Sequence, residues 1–310
     1  MRLFKIGLIN SAFVLILFNA CSSVTAGTLT ERWADHPEWL WFDDFESGAA
    51  LKTNYQDVDT TGFSVVTTDA VSGTQALRQH YTNGMVDAGW IIRVNDSGFP
   101  PHLFMRFYHK FESGFSGFPP KMARMRYRQR SGDWTSTFAV HCWIDNNLVV
   151  ADVKAQSGWL PIAKSNFSFA NTSNIDRWVC FEMEVLLNTP GKQDGLYRMW
   201  ADDSLIVERL NVDLRGSESY LINEVMLDCY WNGGSPKEQN RYFDNFVIST
   251  QKIGPVGGGS VRTNPVGKMQ NTKLKKTSLL KIDKSLSLYI AQNKGGVETK
   301  YLLSGEIIRN

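Results

Sequence analysis

The sequence predicts an all-β protein: a sandwich of two antiparallel sheets followed by a small β-rich tail. Three observations predict it. Apolar and polar residues alternate with period two over many short segments, the spacing that sends successive strand side chains to opposite faces. Polar, Gly-containing turns separate these segments. Aromatic residues make up 12% of the 310 residues, while helical periodicity is scarce. Strands are expected at Leu40–Phe45, Phe63–Thr67, Gln75–Tyr81, Gly89–Val94, His102–Phe111, Met122–Gln129, Ser136–Asp145 and Leu148–Lys154. They continue at Trp178–Leu187, Leu196–Trp200, Ser204–Leu210, Val225–Trp231 and Tyr242–Ser249. Asp194-Gly195 and Asp202-Asp203 are expected in tight turns, because Gly and Asx residues tolerate positive φ and bond locally. Thr30–Trp41 and Glu218–Leu227 read as short helical or irregular pieces.

The first 26 residues read as a secretory signal. Arg2 and Lys5 precede the apolar run Ile6–Phe18, which is too short to span a bilayer comfortably, and Val24-Thr25-Ala26 supplies a small-residue cleavage site. Cys21 offers a rival reading as a lipoprotein acceptor. Both readings place the protein outside the cytoplasm (periplasmic, secreted or outer-surface), with no transmembrane segment in the mature chain. Cys142, Cys180 and Cys229 sit inside apolar strand patterns and read as buried core thiols. Residues 27–253 have the length and composition of one large β-domain, and 254–267 is a Gly/Pro linker. Residues 268–310 form a small basic tail with strands expected at Leu279–Ile282, Leu286–Ile290 and Glu298–Leu303 and a turn at Asn293–Gly296. Charge is divided. Residues 261–310 carry ten Lys/Arg against three Asp/Glu, whereas 27–260 carry 21 against 28. An acidic body argues against nucleic acid as a partner, and the basic tail is too dilute for a polyanion arm.

Several motifs carry a resemblance. Phe42-Asp-Asp-Phe-Glu-Ser-Gly48, Val71–Arg78, Leu103–Phe115, Pro119-Pro-Lys-Met122 and Tyr242-Phe-Asp-Asn-Phe246 occur in the order found in concanavalin A-like jelly rolls. Together they resemble family 14 and related polysaccharide lyases over about residues 40–250. The resemblance implies a jelly-roll sandwich and matches Lys121 to the family's functional lysine. The family's tyrosine pair is missing here, since the corresponding strands read Trp134–His141 and Asn147–Asp152. The Glu-x-Asp-x-x-Glu strand of glycosidases on this fold is also absent, Glu182-Met-Glu184 being its nearest counterpart.

Alternation sorts the candidate residues by face. On one strand Ala123, Met125 and Tyr127 share a side, and Arg124, Arg126, Arg128 and Arg130 the other. Such a stripe suits uronate carboxylates or sulfates, which guanidinium groups bind bidentately. The competing reading is a charge-balanced face, with Glu182 and Glu184 as cross-strand partners. On the next strand Phe138, Val140, Cys142 and Ile144 form an apolar face, leaving His141 and Trp143 opposite. His141 there is a candidate proton carrier near neutral pH, against the more common role of a satisfied histidine. Tyr230 is a candidate acid, and Trp231 a sugar platform or a core residue. Asp43, Asp44 and Asp244 are candidates for a structural calcium, and no cofactor is otherwise required. A single β-bulge would invert any of these faces locally.

The reading that follows is an exported lyase cleaving an acidic polysaccharide by β-elimination, expected to act as a monomer. Arg126, with Arg124 or Arg128, would neutralise the uronate, His141 or Lys121 would be the base and Tyr230 the acid, with Trp143 and Trp231 contacting sugar. The alternatives are a non-catalytic carbohydrate-binding or cell-surface protein of the same fold, or an adhesion component anchored by its tail.

Overall fold

The computed structural model describes residues 31–117, 121–130 and 134–257, together with 280–283, 286–292, 298–302 and 307–308. The signal segment with Cys21, most of the linker and the Asn293–Gly296 turn lie outside the described residues. The chain divides into two compact units, 1–260 and 261–310.

The first unit is almost entirely strand. Its strands run β1 (Trp39–Asp43), β2 (Asp57–Asp59), β3 (Phe63–Thr67), β4 (Gln75–Tyr81), β5 (Trp90–Val94) and β6 (His102–Phe111). They continue as β7 (Lys121–Tyr127), β8 (Phe138–Asp145), β9 (Leu148–Ala155), β10 (Gly158–Trp159) and β11 (Ala163–Ser168). The last five are β12 (Val179–Leu186), β13 (Gly195–Ala201), β14 (Ser204–Val212), β15 (Glu224–Asp228) and β16 (Gln239–Ser249). One sheet has the order β14-β13-β12-β6-β16-β4-β3, with β1 also on β16. The other has the order β10-β9-β8-β7-β15-β5-β2, with β11 also on β9. Each therefore holds eight strands, and every pairing is antiparallel.

The expected sandwich is present, and its short turns follow the expected chemistry. Asp202 and Asp203 both adopt positive φ, and Asn146 and Asn147 do the same. These left-handed pairs close the β13–β14 and β8–β9 hairpins, where the turn twist must match that of the strands. Gly195 departs from expectation. It lies in β13, where an added Cβ would meet Val212 O at 2.7 Å, so its role is close backbone approach rather than a turn. The helical hint at Thr30–Trp41 is a single 3-10 turn, Trp33–Asp35. No helix forms at 218–227, whose second half is β15.

The core lies between the sheets. Leu103, Met105, Phe107 and Phe111 of β6 and Phe181, Met183 and Val185 of β12 face Met125 of β7, Val140 and Cys142 of β8 and Leu227 of β15. Burying side chains of this size contributes about 1.5–3 kcal/mol each before conformational entropy is subtracted. Cys142, Cys180 and Cys229 are free and buried, as their strand patterns predict. The outer face of the β6 sheet is covered as well, because Trp39, Phe104, Val247 and Ile253 form a second small cluster there.

Register in β7 positions everything that follows. Lys121 pairs with Trp143 and Ala123 pairs with Cys142, so two steps along β7 match one along β8. This is a β-bulge. Beyond it, Arg124, Arg126 and Tyr127 pair regularly with His141, Ala139 and Phe138. Strict alternation would send Lys121 to the core with Ala123 and Met125. The bulge lets Met122 and Ala123 both enter the core and leaves Lys121 on the arginine side.

The second unit holds an antiparallel sheet of β17 (Leu280–Asp283), β18 (Leu286–Gln292), β19 (Glu298–Leu302) and β20 (Ile307–Ile308), in that order. Its first three strands fall where alternation predicts them. The short fourth, only two residues long, carries too little pattern to be read.

Candidate active site

The outer face of the β7 sheet carries the charged residues that alternation placed there. Arg124, Arg126 and Arg128 project from it, and β15 supplies Glu224 and Asp228 alongside. The sheet fixes this juxtaposition, since Glu224 is opposite Arg126 and Met226 is opposite Arg124. Arg126 Nε donates to Glu224 Oε2 at 2.6 Å, Arg128 Nη2 to Oε1 at 2.8 Å and Arg130 Nη1 to Oε1 at 3.0 Å. Arg124 pairs with Asp228. Arg128 also reaches Asp57 at 3.4 Å.

The stripe is thus charge-balanced, and its partners differ from those expected. Glu182 and Glu184 lie on the opposite sheet. Glu182 accepts from the Ile253 and Gly254 amides, and Glu184 pairs with His102 and Arg198. Burial raises a carboxyl's pKa, but for Glu224 the Arg128 and Arg126 guanidiniums outweigh it and hold the group below its usual range. Burial likewise works against ionised Asp228, yet Arg124 and Lys121 pull its pKa down to about 2.

Arg126 is fully buried and Arg128 nearly so. The Trp134 ring lies across both, 4.5 Å from the Arg126 guanidinium carbon and 4.6 Å from that of Arg128. Arg126 is therefore a sealed, ion-paired group rather than an open carboxylate receptor. Burial and Arg124 lower its pKa to about 10.

An open cleft lies next to this cluster. It measures about 410 Å³ and is lined by Asp87, Trp90, Lys121, Arg124, Trp134, Asp228 and Tyr230. Lys121 Nζ stands 4.3 Å from the centre of the Tyr230 ring, a cation–π contact. Burial lowers the Lys121 ammonium below its ordinary 10.5; Asp228 opposes the shift, and Arg124 adds to it. Tyr230 follows β15 directly, and its amide bonds Asp228 Oδ1 at 3.3 Å. A buried-side lysine, a phenol and a guanidinium thus converge on one space.

Three of the expected residues meet in this cleft: Lys121, Arg124 and Tyr230. Trp143 sits beside it, opposite Lys121 in the ladder. His141 is opposite Arg124 but only 7% exposed, and its Nε2 has no hydrogen-bond partner. Burial, then Arg124, drives its pKa well below 6.5, so it is a neutral imidazole at physiological pH. Trp231 does not share the face. It is buried in the core, edge-on to Tyr81 and stacked near Phe115, because β15 alternation continues past Asp228 and turns it inward. Asp87, Trp90 and Trp134 were not legible as site residues, since all three lie at strand ends or in loops. Asp228 was missed as well, although its parity with Tyr230 two residues away is the signal that finds it.

Asp43 and Asp244 spend their oxygens within the protein. Asp43 accepts from the Phe45 amide, the Tyr55 hydroxyl and Asn54. Asp244 accepts from the Val71, Ser72 and Asn245 amides. Among the described residues no group of three or more His, Cys, Asp or Glu side chains is arranged to hold a metal ion. Nor is any helix among them long and apolar enough to cross a membrane.

Comparison with known proteins agrees with the geometry. The sequence profile of polysaccharide lyase 14 matches residues 125–246, which include β8, β15 and most of the arginine stripe. No curated protein sequence matches the chain. Among solved structures, a marine PL-14 alginate lyase from Aplysia kurodai superposes with a TM-score of 0.53 at 14% identity, covering 69% of this chain and 99% of that one. An endo-β-1,4-glucuronan lyase from Trichoderma reesei gives 0.52 at 16% identity, covering 69% and 96%. An alginate lyase from a Chlorella virus gives 0.50 at 17% identity, covering 62% and 90%. Identities this low establish a shared fold. The chain is a jelly-roll β-sandwich that resembles the family 14 polysaccharide lyases.

Proposed function

We propose that this protein is an exported polysaccharide lyase that cleaves a uronate-containing glycan by β-elimination at the Lys121–Tyr230 cleft. One observation carries the reading: the β7 bulge delivers Lys121 onto the Tyr230 ring beside Arg124. Elimination breaks the C5–H bond, forms the C4=C5 double bond and breaks the C4–O4 bond, with a proton delivered to O4. Each step has a residue suited to it. Arg124, buried and paired with Asp228 but, unlike Arg126, lining the cleft, lies where its charge can offset the uronate carboxylate, which acidifies the C5 proton. Lys121, its pKa lowered by burial and by Arg124, takes that proton in its neutral form. Tyr230, about one-third exposed, gives its phenol proton to the leaving oxygen. His141 shares this face, opposite Arg124, but is more buried than Lys121 and does not line the cleft. The resemblance to lyases of alginate and glucuronan supports the substrate class, and the Arg2–Ala26 segment supports export.

The test is ultraviolet absorbance of the unsaturated uronate ends that β-elimination creates, with a panel of acidic polysaccharides. Wild type should generate the signal on one class. Lys121→Ala and Tyr230→Phe should each lower it by about 10²–10⁴-fold with the fold intact. A flat wild-type trace, with retardation of a polysaccharide on an affinity gel, would reject the lyase and establish the binding protein instead.

A further inference from the structure

Trp159 is the most exposed of the large apolar side chains on the described residues, at 59%. It stands on β10, the two-residue edge strand of the cleft sheet. Its face follows from register. Trp159 pairs with Lys154, and Lys154 pairs with Ala139. Ala139 shares the outer face with His141 and Trp143, so Trp159 projects on the same side as Lys121. The indole meets His141 edge-on, with ring centres 5.8 Å apart.

We infer that Trp159 is a sugar-stacking platform, holding an acidic polysaccharide that runs across the strands from the Lys121 cleft. The inference rests on the glycan reading above and adds a second contact region to it. Three strand steps separate β10 from β7, roughly 14 Å at the usual strand spacing. That spacing is between backbones; the indole leans back across β9 to His141, which is opposite Arg124, so the platform flanks the cleft and would hold a sugar next to the one being cleaved. Its surroundings favour a sugar over a protein partner. A protein interface needs a contiguous apolar patch, whereas this ring is bordered by Lys154, Asp152 and His141. A pyranose ring has the opposite requirement: a C–H face for one flat aromatic ring, and polar groups around it for hydroxyls and a carboxylate. Lys154, held by a 2.6 Å bond to Ser136 O, supplies the cation for that carboxylate.

The experiment compares wild type with Trp159→Ala on long polymer and on short oligomers, by cleavage rate and by affinity-gel retardation. An indole this exposed makes little packing contribution, so the variant should fold; its thermal midpoint serves as the control. The expected result is a KM several-fold higher on polymer with kcat unchanged, no change on an oligomer too short to reach the platform, and weaker retardation. Wild-type cleavage with an unchanged Trp159→Ala would overturn the platform and leave the lyase standing. Retardation lost in Trp159→Ala, in a protein that never cleaves, would support the platform and overturn the lyase. A wild type that neither cleaves nor retards any acidic polysaccharide would overturn both.

Discussion

Arg241 reaches from β16 through the sandwich core to the backbone of Lys121: its Nη2 donates to the Lys121 carbonyl at 3.1 Å and to the Asp228 carbonyl at 2.6 Å. A fully buried cation on one sheet thus ties together the two strands that form the cleft on the other. Gln79 accepts from its Nε, and the Tyr81 hydroxyl bonds the Cys229 carbonyl at 3.0 Å. The bulged backbone behind Lys121 is held by groups that never touch the cleft.

Arg241→Met should therefore destabilise strongly. It takes the guanidinium donor from the buried Lys121 and Asp228 carbonyls, at about 1–3 kcal/mol for each orphaned group, while the Gln79 oxygen keeps the Tyr81 hydroxyl at 2.8 Å. Urea unfolding should show a loss of about 3–5 kcal/mol, in the range for breaking a buried charged contact. A loss below about 1 kcal/mol would mean that the carbonyls find other donors and that the clamp is dispensable.

The Glu224 cluster makes a graded prediction. Glu224→Leu strands Arg126 as an uncompensated buried charge and leaves Arg128 only its 3.4 Å contact with Asp57, and should cost about 3–5 kcal/mol. Arg130→Ala removes the partner at the solvent edge, where ion pairs contribute about 0–1 kcal/mol. Equal losses in the two variants would contradict the burial difference between Arg126 and Arg130.

The pH dependence of activity follows from the groups around Lys121. Its ammonium titrates below the ordinary 10.5, and Asp228 is the largest influence holding it up. Since the neutral amine is the base, kcat/KM should rise with pH until Lys121 has lost its proton. Asp228→Asn removes the charge that stabilises the ammonium, so the limb should move to lower pH. A limb that stays put, or moves upward, would mean that another group is the base.

Acid stability should be governed in part by His109. It is fully buried among Phe111, Phe169, Phe181 and Phe243, and neither ring nitrogen has a partner. Burial, with Arg241 adding to it, drives its pKa well below 6.5. Above the unfolded pKa neither state binds the proton and no stability is lost. As pH falls below about 6.5 the unfolded chain gains a proton that the folded one refuses, and stability drops by up to about 1.4 kcal/mol per pH unit. His109→Leu should flatten this acid limb in denaturation curves at pH 4–7. An unchanged slope would place the proton uptake elsewhere.

The thiols offer a simpler check. Burial raises Cys142 and Cys180 to about 12 and Cys229 well above its usual value. None should react with a disulfide reagent at neutral pH until the protein unfolds, and reductant should leave the melting temperature unchanged.

Much of this architecture was legible because alternation reports burial directly. Phe63–Thr67, Gln75–Tyr81 and His102–Phe111 form strands with the expected bounds, and the His141 and Arg124 faces follow the expected parity. β2, β10 and β11 were not legible. Two are too short to show a period, and Ala163–Ser168 has a polar composition. The partners of the arginine stripe could not be read either. Pairing β7 with β15 rather than with β12 is a matter of topology, and nothing within residues 121–130 encodes which strand comes alongside. Trp231 was misplaced for a related reason: an aromatic residue at a strand end reads equally well as a platform or as core, and only the register to Tyr81 and Phe115 decides.

The bulge at Met122 also defines how this site can change. Within a regular ladder, moving a functional lysine between the interior and the solvent would require rewriting the whole strand. Here a single inserted residue decouples the two halves, so the arginine half can drift in charge while the lysine half keeps its aim. Deleting Met122 would restore a regular ladder in which Lys121, now next to the inward-facing Ala123, still faces the cleft, whereas keeping Met122 in a straightened strand would turn the amine into the core.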